Sequence, residues 1–345
     1  MTKTKIALFG AGVIGRTHID RITRSDNLAL VAIADPTDAG KRLADSLGVR
    51  WFAEHRALLD EIRPQGAIVA TPNALHISMA VDCLERGVAV LVEKPVADTV
   101  AEAQLLVEAQ QRTGVPVLVG HHRRHNPINR RAREIVQSGR LGQVVTASVM
   151  ATFLKPDAYF DAAWRRQQGG GPILINLIHE IDMLRFLLGE IESVQAMRSS
   201  AVRGFEVEDT AAAVLKFTSG ALASLVLSDA ATSPWCWDFC AGEQDQYPRQ
   251  NVQSHFIAGT HGSLSLPDLS LWNYRGERSW HAEMTLEKTF VHRADPYTRQ
   301  LQHFRDVIDG KTASLCSALD GLRTLQATLA VSDAALTNAR ITLST

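Results

Sequence analysis

A glycine-rich hexapeptide near the start of the chain lies between two segments of different character. Gly10-Ala11-Gly12-Val13-Ile14-Gly15 follows an apolar run at residues 6–9, and the residues after it have helical periodicity. In this context the first glycine permits a tight turn, the second lets the backbone approach a pyrophosphate, and the third lets helix and strand pack closely. The helix N-terminus offers N–H groups and partial positive charge to phosphates. The pattern predicts a dinucleotide site that includes Val13 and Ile14.

An acidic residue closes the next apolar run. Asp35 follows residues 28–34 and stands where a dinucleotide site needs a partner for the ribose. Its carboxylate suits hydrogen bonds from a ribose diol and would repel a 2′-phosphate, and no arginine follows within a few residues to neutralise that phosphate. The pattern favours NAD over NADP. A plain turn residue before Pro36 is the alternative.

Two further side chains are suited to proton chemistry. Lys94 directly follows Glu93 and an apolar run at residues 89–92, at the edge of the predicted sheet where open α/β folds bind ligands. His179 lies in a helical pattern after three consecutive glycines, and an imidazole titrates near neutral pH. Asp182 is three positions further on the same helix face and either orients His179 or serves as a structural partner. On an apolar helix, a histidine is more often a core group than a base.

Composition excludes several classes of protein. The 345 residues include 36 Lys+Arg and 37 Asp+Glu, for a net charge of -1, and 46% are hydrophobic. A nucleic-acid binder shows a basic excess or stripe, and a disordered chain has low apolar content, so neither class fits. The four cysteines are too few and scattered for a disulfide framework or a zinc hook. With no signal-peptide pattern and no 18-residue apolar window, we expect a cytoplasmic protein with a small-molecule partner and no membrane contact.

The first 121 residues alternate strand and helix signals. Continuous apolar runs are typical of parallel strands that helices cover on both faces. These runs occur at residues 6–9, 28–34, 49–52, 67–70, 89–92 and 116–119, with helical patterns at 39–47, 74–86 and 100–112 between them. We therefore predict a doubly wound α/β domain over residues 1–121.

Residues 122–345 have a different pattern of predicted helices and strands. Helical patterns at 129–137 and 174–188 precede a long region, 193–291, of strand-like runs with mixed polarity, and helical patterns return at 296–308 and 320–337. We expect an α+β domain with one antiparallel or mixed sheet that has a polar face and an apolar face. Whether the C-terminal helices pack back on the first domain stays open from sequence.

Seven motifs in a fixed order give the chain a family resemblance. They are the glycine hexapeptide, Ala70-Thr71-Pro72-Asn73 with His76, Glu93-Lys94-Pro95, Gly120 followed by Arg123-Arg124 and Pro127, Trp164-Arg165, Gly169-Gly170-Gly171, and His179-Glu180-Ile181-Asp182 running to Gly189. Each is modest alone, but their order and spacing are specific. Over nearly its whole length the chain resembles the Gfo/Idh/MocA family, named for glucose-fructose oxidoreductase, inositol dehydrogenase and a rhizopine-catabolism protein.

The resemblance implies an N-terminal Rossmann domain and, over residues 122–345, an α+β domain with a large open mixed or antiparallel sheet for substrate binding and oligomerisation. It also implies hydride transfer between a nicotinamide and a secondary alcohol or ketone of a sugar, cyclitol or related polyol. Relatives assemble as dimers or tetramers through the sheet, so a homodimer or homotetramer is expected. An apolar sheet face without helices to cover it makes such association physically sensible.

The resemblance also assigns site residues. It implies cofactor contacts from Thr71, Pro72, Asn73, His76, Glu93 and Lys94, catalysis by Lys94 and His179, and substrate contacts from Arg123, Trp164, Arg165, Asn176, His179 and Asp182. Of Arg123 and Arg124, one is expected at the substrate and the other at the cofactor or a structural carboxylate. Many relatives have an aspartate four residues before the histidine, where this chain has Ile175, so Asn176 is the expected substrate contact here.

Several other interpretations stay open from sequence. The same fold serves enzymes that reduce a carbonyl or imine or oxidise a diol in other small-molecule pathways. A non-catalytic dinucleotide-sensing regulator is a different class, although it would not need both Lys94 and His179. The cluster of His121, His122 and His125 has no suitable fourth ligand in the sequence nearby, and we predict no metal site.

Overall fold

The computed structural model describes residues 3–343. The chain divides into two compact units, one formed by the residues up to 125 together with 296–325, and the other by 126–295 together with the residues from 326 onward. The two units are described separately. Among the described residues, no helix combines the length and the apolar character that crossing a membrane requires.

The first unit contains a six-stranded parallel sheet with the strand order β3-β2-β1-β4-β5-β6. Its strands are β1 (Thr4–Phe9), β2 (Leu28–Ala34), β3 (Arg50–Phe52), β4 (Gly66–Val69), β5 (Ala89–Val92) and β6 (Val117–Val119). The strand order reverses direction at β1 and β4, which is the topological switch point where doubly wound sheets bind dinucleotides. The predicted doubly wound α/β fold is confirmed.

Five helices connect these strands. They are α1 (Val13–Thr23), α2 (Asp38–Leu47), α3 (His55–Ile62), α4 (His76–Leu84) and α5 (Val100–Thr113). A 3-10 turn, Asn73–Leu75, precedes α4 and forms the start of the helix predicted at 74–86. The sequence patterns did not predict α3, because its eight residues contain only two buried apolar positions, Leu58 and Leu59.

The second unit contains a nine-stranded sheet with the order β14-β13-β12-β11-β7-β10-β9-β8-β15. The strands are β7 (Val144–Thr152), β8 (Ile191–Ser199), β9 (Thr210–Phe217), β10 (Leu222–Ser228), β11 (His255–Gly259), β12 (Gly262–Leu266), β13 (Ser270–Asn273), β14 (Thr285–Lys288) and β15 (Ile341–Thr342). Within residues 3–343, β7 and β10 pair in parallel and the other neighbouring strands of this sheet pair antiparallel, so the sheet is mixed, as predicted. The edge strand β15 was not predicted, because two residues carry no periodicity.

In the described part of the chain, the helices that lie wholly within the second unit are α6 (Pro127–Gln137), α7 (Ile178–Leu188) and the short α8 (Trp237–Ala241). A π-helical turn, Ile173–Leu177, leads into α7, and Gly189 ends that helix as predicted. The polar Asp238 and the brevity of α8 explain why no helix was predicted there. Helix α7 contacts both α6 and β7, so one face of the sheet is covered.

Two helices follow β14 in the chain. Helix α9 (Pro296–Ile308) belongs to the first unit, where it packs on α1 and on the 3-10 turn His122–His125. Its apolar side includes the fully buried Phe304, which with Ile308 covers Gly66 at the start of β4. Helix α10 (Ala318–Thr337) has residues in both units. The packing of α9 explains why the first unit needs residues far beyond position 121.

Candidate functional site

The glycines of the hexapeptide differ in what surrounds them. Gly10 has a φ of +87°, and a Cβ there would lie 2.6 Å from the carbonyl oxygen of Ala70. A Cβ on Gly15 would lie 2.1 Å from the carbonyl oxygen of Gly10. A Cβ on Gly12, in contrast, would meet no atom within 4 Å. Gly10 and Gly15 are therefore required by the packing of the loop, whereas Gly12 leaves open space above the backbone.

The N-terminus of α1 lies beside that open space. Gly12 is its N-cap residue, no side chain caps the helix, and its first turn contains no acidic residue. Val13 is 89% exposed, so the first turn faces solvent. The N–H groups of a first helical turn lack partners within the helix and carry partial positive charge. The N–H groups at this end of α1 suit the pyrophosphate contact predicted for Gly12, Val13 and Ile14, and that contact stays a prediction.

Asp35 follows β2 and joins the glycine loop to the start of α2. One carboxylate oxygen accepts a hydrogen bond from the Ala11 N–H at 2.7 Å, and the other accepts from the Thr37 N–H and hydroxyl at 2.9 and 2.5 Å. Burial raises the pKa of Asp35, but these hydrogen bonds outweigh burial and hold the pKa below its usual value. The carboxylate is therefore a fixed anion beside the glycine loop. The oxygen that accepts from Ala11 retains a lone pair for a further donor, whereas Thr37 uses both lone pairs of the other oxygen.

The segment after β4 holds the next group of predicted cofactor contacts. Thr71 and Asn73 are half-buried and Pro72 is exposed, so all three present surface to a ligand. His76 is buried, and its two ring nitrogens lie 2.9 Å from the carbonyl oxygens of Thr71 and Pro95. Burial lowers the pKa of His76 against the opposing effect of the two carbonyls. His76 thus ties two loops together, while the cofactor contacts of this segment stay predictions.

Glu93 and Lys94 follow β5. Glu93 is buried, and its carboxylate lies 2.7 Å from Nε2 of His18 on α1. Burial raises the pKa of Glu93, but the hydrogen bond and charge of His18, with the charges of His122 and Lys94, outweigh burial and lower the pKa overall. Lys94 is half-buried and its peptide bond to Pro95 is cis. Glu93 is a buried anion that fixes the backbone carrying Lys94.

A line of aromatic rings supports this pair from α9. Tyr297 stacks on His122 with ring centroids 4.4 Å apart, and it meets the edge of His18 at 5.9 Å. On the other side, Gly120 packs on Glu93 so closely that a Cβ would lie 2.8 Å from the Glu93 carboxylate. The sequence patterns did not reveal His18 or Tyr297 as parts of the site. A histidine one turn into the first helix gives no signal until its partner 75 residues later is known.

The two arginines after β6 are both buried. Arg124 donates a hydrogen bond to the Leu315 carbonyl at 2.9 Å and lies 3.3 Å from the carboxylate of Asp320. Arg124 therefore pairs with a structural carboxylate, which is one of the two roles that the sequence analysis expected for these arginines. The predicted substrate contact then falls to Arg123, and it stays a prediction.

The π-helical turn before α7 positions the second predicted catalytic residue. Gly171 packs against Glu208, where a Cβ would lie 2.4 Å from the carboxylate, and the Ile173 N–H donates to that carboxylate at 2.9 Å. Such π-turns occur frequently at functional sites. Asn176, in the turn, and His179, in the first turn of α7, are half-buried, whereas Asp182 is buried. Asn176 and His179 are three positions apart and so neighbour each other along the helix.

A buried pair anchors α7 to the sheet. Glu180 lies 2.8 Å from Nε2 of His255 on β11, and the other ring nitrogen of His255 lies 2.9 Å from the Ser254 hydroxyl. Trp237 meets the His255 ring edge-on at 5.8 Å. The pair links residues 75 positions apart, and nothing in their local sequence predicts it. Its position next to His179 fixes the rotation of the helix that carries this histidine.

Trp164 and Arg165 lie in a 3-10 turn of the second unit, Ala163–Arg166. The guanidinium of Arg165 lies over the ring of Tyr159 at 3.9 Å and over Trp164 at 5.2 Å, and it donates to the Tyr159 carbonyl at 2.6 Å. Trp164 is 53% exposed. An exposed aromatic surface with an ordered guanidinium behind it is compatible with the predicted substrate contact, which stays a prediction.

A buried lysine that sequence patterns did not predict lies in the same unit. Lys155 is only 7% exposed, and its ammonium donates to Oδ1 of Asn176 at 2.8 Å and lies 3.2 Å from Asp229. Arg203 also contacts Asp229, at 3.2 Å. Burial lowers the pKa of Lys155, the nearby carboxylate of Asp229 raises it, and the net direction is downward. Its sequence signal is its position shortly after a strand and directly before Pro156.

Comparison with known protein families assigns both parts of the chain. Residues 4–121 match the model for the oxidoreductase family with an NAD-binding Rossmann fold, GFO_IDH_MocA. Residues 129–265 match the model for the GFO/IDH/MocA C-terminal domain.

Curated relatives share about a quarter of their residues with the chain. The rhizopine catabolism protein MocA of Rhizobium meliloti is 28% identical over 190 residues, which are 55% of this chain and 59% of MocA. The 1,5-anhydro-D-fructose reductase of Ensifer adhaerens is 27% identical over 337 residues, 96% of each chain. Inositol 2-dehydrogenase 2 of Saccharopolyspora erythraea is 30% identical over 225 residues, 63% of this chain and 64% of the relative.

Solved structures share the fold. The WlbA dehydrogenase of Bordetella pertussis, in complex with NADH and UDP-GlcNAcA, has a TM-score of 0.80 at 24% identity and covers 100% of both chains. A protein named as an NADPH-dependent oxidoreductase, from Desulfitobacterium hafniense, has a TM-score of 0.85 at 21% identity, covering 99% of this chain and 98% of that one. Because both structures are less than 25% identical to this chain, the similarity shows a shared fold.

The different surroundings of the glycines predict separable effects of two substitutions. Gly12→Ala should leave the free energy of unfolding within about 0.5 kcal/mol of wild type, because its Cβ enters open space, yet should weaken NADH binding at least about tenfold by occupying the space for the pyrophosphate. Gly15→Ala should lower the free energy of unfolding by about 2 kcal/mol or more. Denaturant unfolding and NADH fluorescence titration measure the two quantities.

Gly276→Ala is the matched control, because a Cβ there also meets no atom within 4 Å and the residue lies in the other unit. It should change neither quantity. NADH affinity unchanged in Gly12→Ala would show that the pyrophosphate does not bind above Gly12.

Proposed function

The chain belongs to the Gfo/Idh/MocA oxidoreductase family, and from this premise we propose that it transfers a hydride between a nicotinamide dinucleotide and a secondary alcohol or ketone of a sugar, cyclitol or related polyol. One observation carries the proposal. The open N-terminus of α1, the anionic Asp35 and the half-buried Lys94 all lie at the carboxyl edge of one parallel sheet. Doubly wound sheets bind dinucleotides at that edge.

The relatives support the substrate class. Those with named activities include inositol 2-dehydrogenases, a scyllo-inositol 2-dehydrogenase, a 1,5-anhydro-D-fructose reductase and a levoglucosan dehydrogenase. Each of these names refers to a cyclitol or a sugar derivative. A polyhydroxylated small molecule is therefore the substrate class that we propose for this chain.

Alcohol oxidation by this family requires two events at neighbouring atoms. The C–H bond breaks and its electron pair leaves with the hydride, while the hydroxyl loses its proton and the C–O bond becomes a carbonyl. A bound nicotinamide supplies the hydride acceptor. We assign the proton to His179, whose imidazole can accept it near neutral pH.

Lys94 has the complementary role in the proposal. Negative charge develops on the substrate oxygen as the proton leaves, and a nearby ammonium stabilises it. Lys94 follows a buried strand, and the adjacent Glu93 accepts a hydrogen bond from the Lys94 backbone N–H at 3.3 Å. Glu93, held by His18, thus limits the movement of the Lys94 backbone and preorganises the ammonium.

NAD is the cofactor that the surroundings of Asp35 favour. One protein with this fold is named as a complex with NADH and another as NADPH-dependent, so the fold alone does not determine the cofactor. The lowered pKa of Asp35 keeps its carboxylate charged at neutral pH. A fixed carboxylate attracts the ribose hydroxyls as donors and repels a 2′-phosphate.

A homodimer or homotetramer that forms through the large sheet is the assembly that we propose. On one face, here called the open face, exposed residues of four neighbouring strands form a row: Phe256, Ser148, Ser224 and Val214. Further exposed apolar residues on this sheet include Met197, Val226 and Trp272. A groove of about 590 Å³ lies across the open face. The exposed phenylalanine, valine, methionine and tryptophan side chains among these serines favour an interface on this sheet.

The catalytic assignment predicts a large loss of turnover in two single variants. Lys94→Ala and His179→Ala should each lower kcat for NADH formation from a cyclitol or sugar by about 100-fold to 10,000-fold, the range for losing a proton-transfer or charge-stabilising group. Absorbance of reduced cofactor measures turnover. The exposed Lys311 and His281 give matched controls, Lys311→Ala and His281→Ala, which should keep wild-type rates.

Retained turnover in both Lys94→Ala and His179→Ala would exclude these two residues as the catalytic pair. Wild-type protein that binds NADH tightly but turns over nothing in a broad panel of cyclitols, aldoses, glycosides and diols would instead indicate a dinucleotide sensor.

The cofactor assignment predicts a change in preference when the charge of Asp35 is removed. Asp35→Asn preserves the shape of the side chain and should lower the ratio of NAD to NADP affinity by about tenfold or more, because the repulsion of the 2′-phosphate is lost. Titrations of the protein with NAD and with NADP measure this ratio of affinities. Asp38→Asn, an exposed change three residues away, should keep the wild-type ratio. An unchanged ratio in Asp35→Asn would mean that Asp35 does not face the ribose.

The assembly proposal predicts that charge on the open face separates the subunits. Wild-type protein should have twice or four times the chain mass of 37.8 kDa by light scattering. Phe256→Glu combined with Val226→Glu should give the monomer mass, because a buried unpaired carboxylate opposes association. Val202→Glu, an equally apolar position in a turn, should keep the wild-type mass. A monomeric wild type, or an unaltered mass in the double variant, would contradict the proposal.

A further inference from the structure

A cluster of charged groups surrounds Asn176 in the second unit. Lys155 lies behind it, between the rings of Tyr159 and Phe153 at 4.7 and 5.7 Å from the ammonium. Asp229 contacts both Lys155 and Arg203. None of these groups belongs to the catalytic assignment made above. Burying so many charges costs free energy, and it does not by itself stabilise a fold.

The lysine determines which way the Asn176 amide faces. A lysine ammonium only donates hydrogen bonds, so the amide atom that it contacts at 2.8 Å must be the acceptor Oδ1. The NH2 group then forms the other branch of the amide. Within residues 3–343, the bond from Lys155 is the hydrogen bond that the Asn176 side chain makes. Half-buried Asn176 therefore offers two N–H donors to a ligand.

Lys155 has a donor left as well. Its ammonium carries three N–H groups, and in the described part of the chain two of them have acceptors, the Asn176 oxygen and the Asp229 carboxylate. The third N–H of Lys155 and the NH2 group of Asn176 therefore belong to two side chains that contact each other directly. A carboxylate has two oxygens that accept from such a pair of donors at once.

The charges of the cluster favour an anion. The charged groups with the largest effect on the pKa of Lys155 are one carboxylate, Asp229, and two guanidinium groups, Arg203 and Arg165. Asp157 lies 3.8 Å from Arg203 but is fully exposed, where solvent screens its charge. Asp209 is also buried, and its carboxylate accepts from the backbone N–H groups of Val202 and Arg203. The side chains of Lys155 and Arg203 share one carboxylate, Asp229, so a ligand with a single negative charge would give this pair of cations a second counter-charge.

We propose that Lys155 and Asn176 form a subsite for a carboxylate group of the substrate, so that this chain acts on a sugar acid or another polyhydroxylated carboxylate. Asn176 lies one helical turn before His179, which places the subsite beside the helix that carries the proposed base. Asp229 and Arg203 hold Lys155 in position. The inference rests on the proposed function for its substrate class, but the binding it predicts is measured without turnover.

The test compares sugars that differ only by the carboxylate. With NADH bound, the dissociation constants of D-glucuronate and D-glucose, and of D-galacturonate and D-galactose, are measured by calorimetry. Wild-type protein should bind each acid at least about tenfold more tightly than its neutral partner, because charge-assisted hydrogen bonds replace neutral ones. Equal affinities within both pairs would overturn the subsite. Glucose 6-phosphate binding more tightly than glucuronate would overturn the choice of a carboxylate.

Two variants assign the preference to these residues. Lys155→Met removes the ammonium, and Asn176→Asp keeps the size of the side chain and its contact with Lys155 while replacing two donors by a carboxylate. Each should reduce the acid preference about tenfold or more. Asn176→Asp retains a partner for Lys155, so it keeps the test valid even where Lys155→Met lowers stability. Lys216→Met, at a surface lysine paired with Glu192, is the control and should keep the wild-type ratio.

The outcomes separate this inference from the proposed function. Acid preference that survives in Asn176→Asp and in a folded Lys155→Met would overturn the inference, whatever the enzyme turns over. NADH formation from neutral sugars with equal binding of acids would overturn the inference alone. An acid preference lost in both variants, together with no turnover of any sugar, would support the subsite and count against the dehydrogenase.

Discussion

The parallel backbone ladder of the first unit extends one residue beyond its strands, and the cofactor half of the candidate site depends on that extension. The N–H of Gly10 bonds to Ala34 of the neighbouring strand, that of Ala70 to Phe9, that of Glu93 to Val69, and that of Gly120 to Val92. Each loop therefore leaves the sheet from a fixed backbone position at the same edge. Side chains from four separate loops converge there because parallel strands all end on one side.

Features with local causes could be predicted from the sequence. The strands β2 and β5 have the predicted bounds, because a continuous apolar run between turn residues is typical of a strand buried on both faces. The glycine loop could be placed because backbone geometry requires glycine at Gly10 and close packing requires it at Gly15. Contacts between distant residues could not be predicted in this way. His18 and Glu93 each look ordinary until the fold brings them within 2.7 Å.

The second unit shows the same contrast more strongly. The helix and its terminal Gly189 could be predicted from periodicity, and His179 from its resemblance to a family motif. The buried pair of Glu180 with His255 could not, since a glutamate beside a candidate base gives no indication of a partner on a strand 75 residues later. A buried carboxylate needs such a partner, because an isolated one would be severely penalised. The pair therefore constrains the helix as well as satisfying the charge.

Ligand polarity in the second unit depends on a neighbour rather than on the helix motif. An asparagine is ambiguous by itself, because its amide both donates and accepts. Lys155 removes the ambiguity by occupying the acceptor oxygen, and Asp229 keeps that ammonium in place at 3.2 Å. An aspartate at position 176 would present only acceptors toward a ligand, so the same backbone would then select hydroxyl donors. The choice between a neutral polyol and an acid thus follows from the loop that carries Lys155, which the sequence places 21 residues before the amide that it orients.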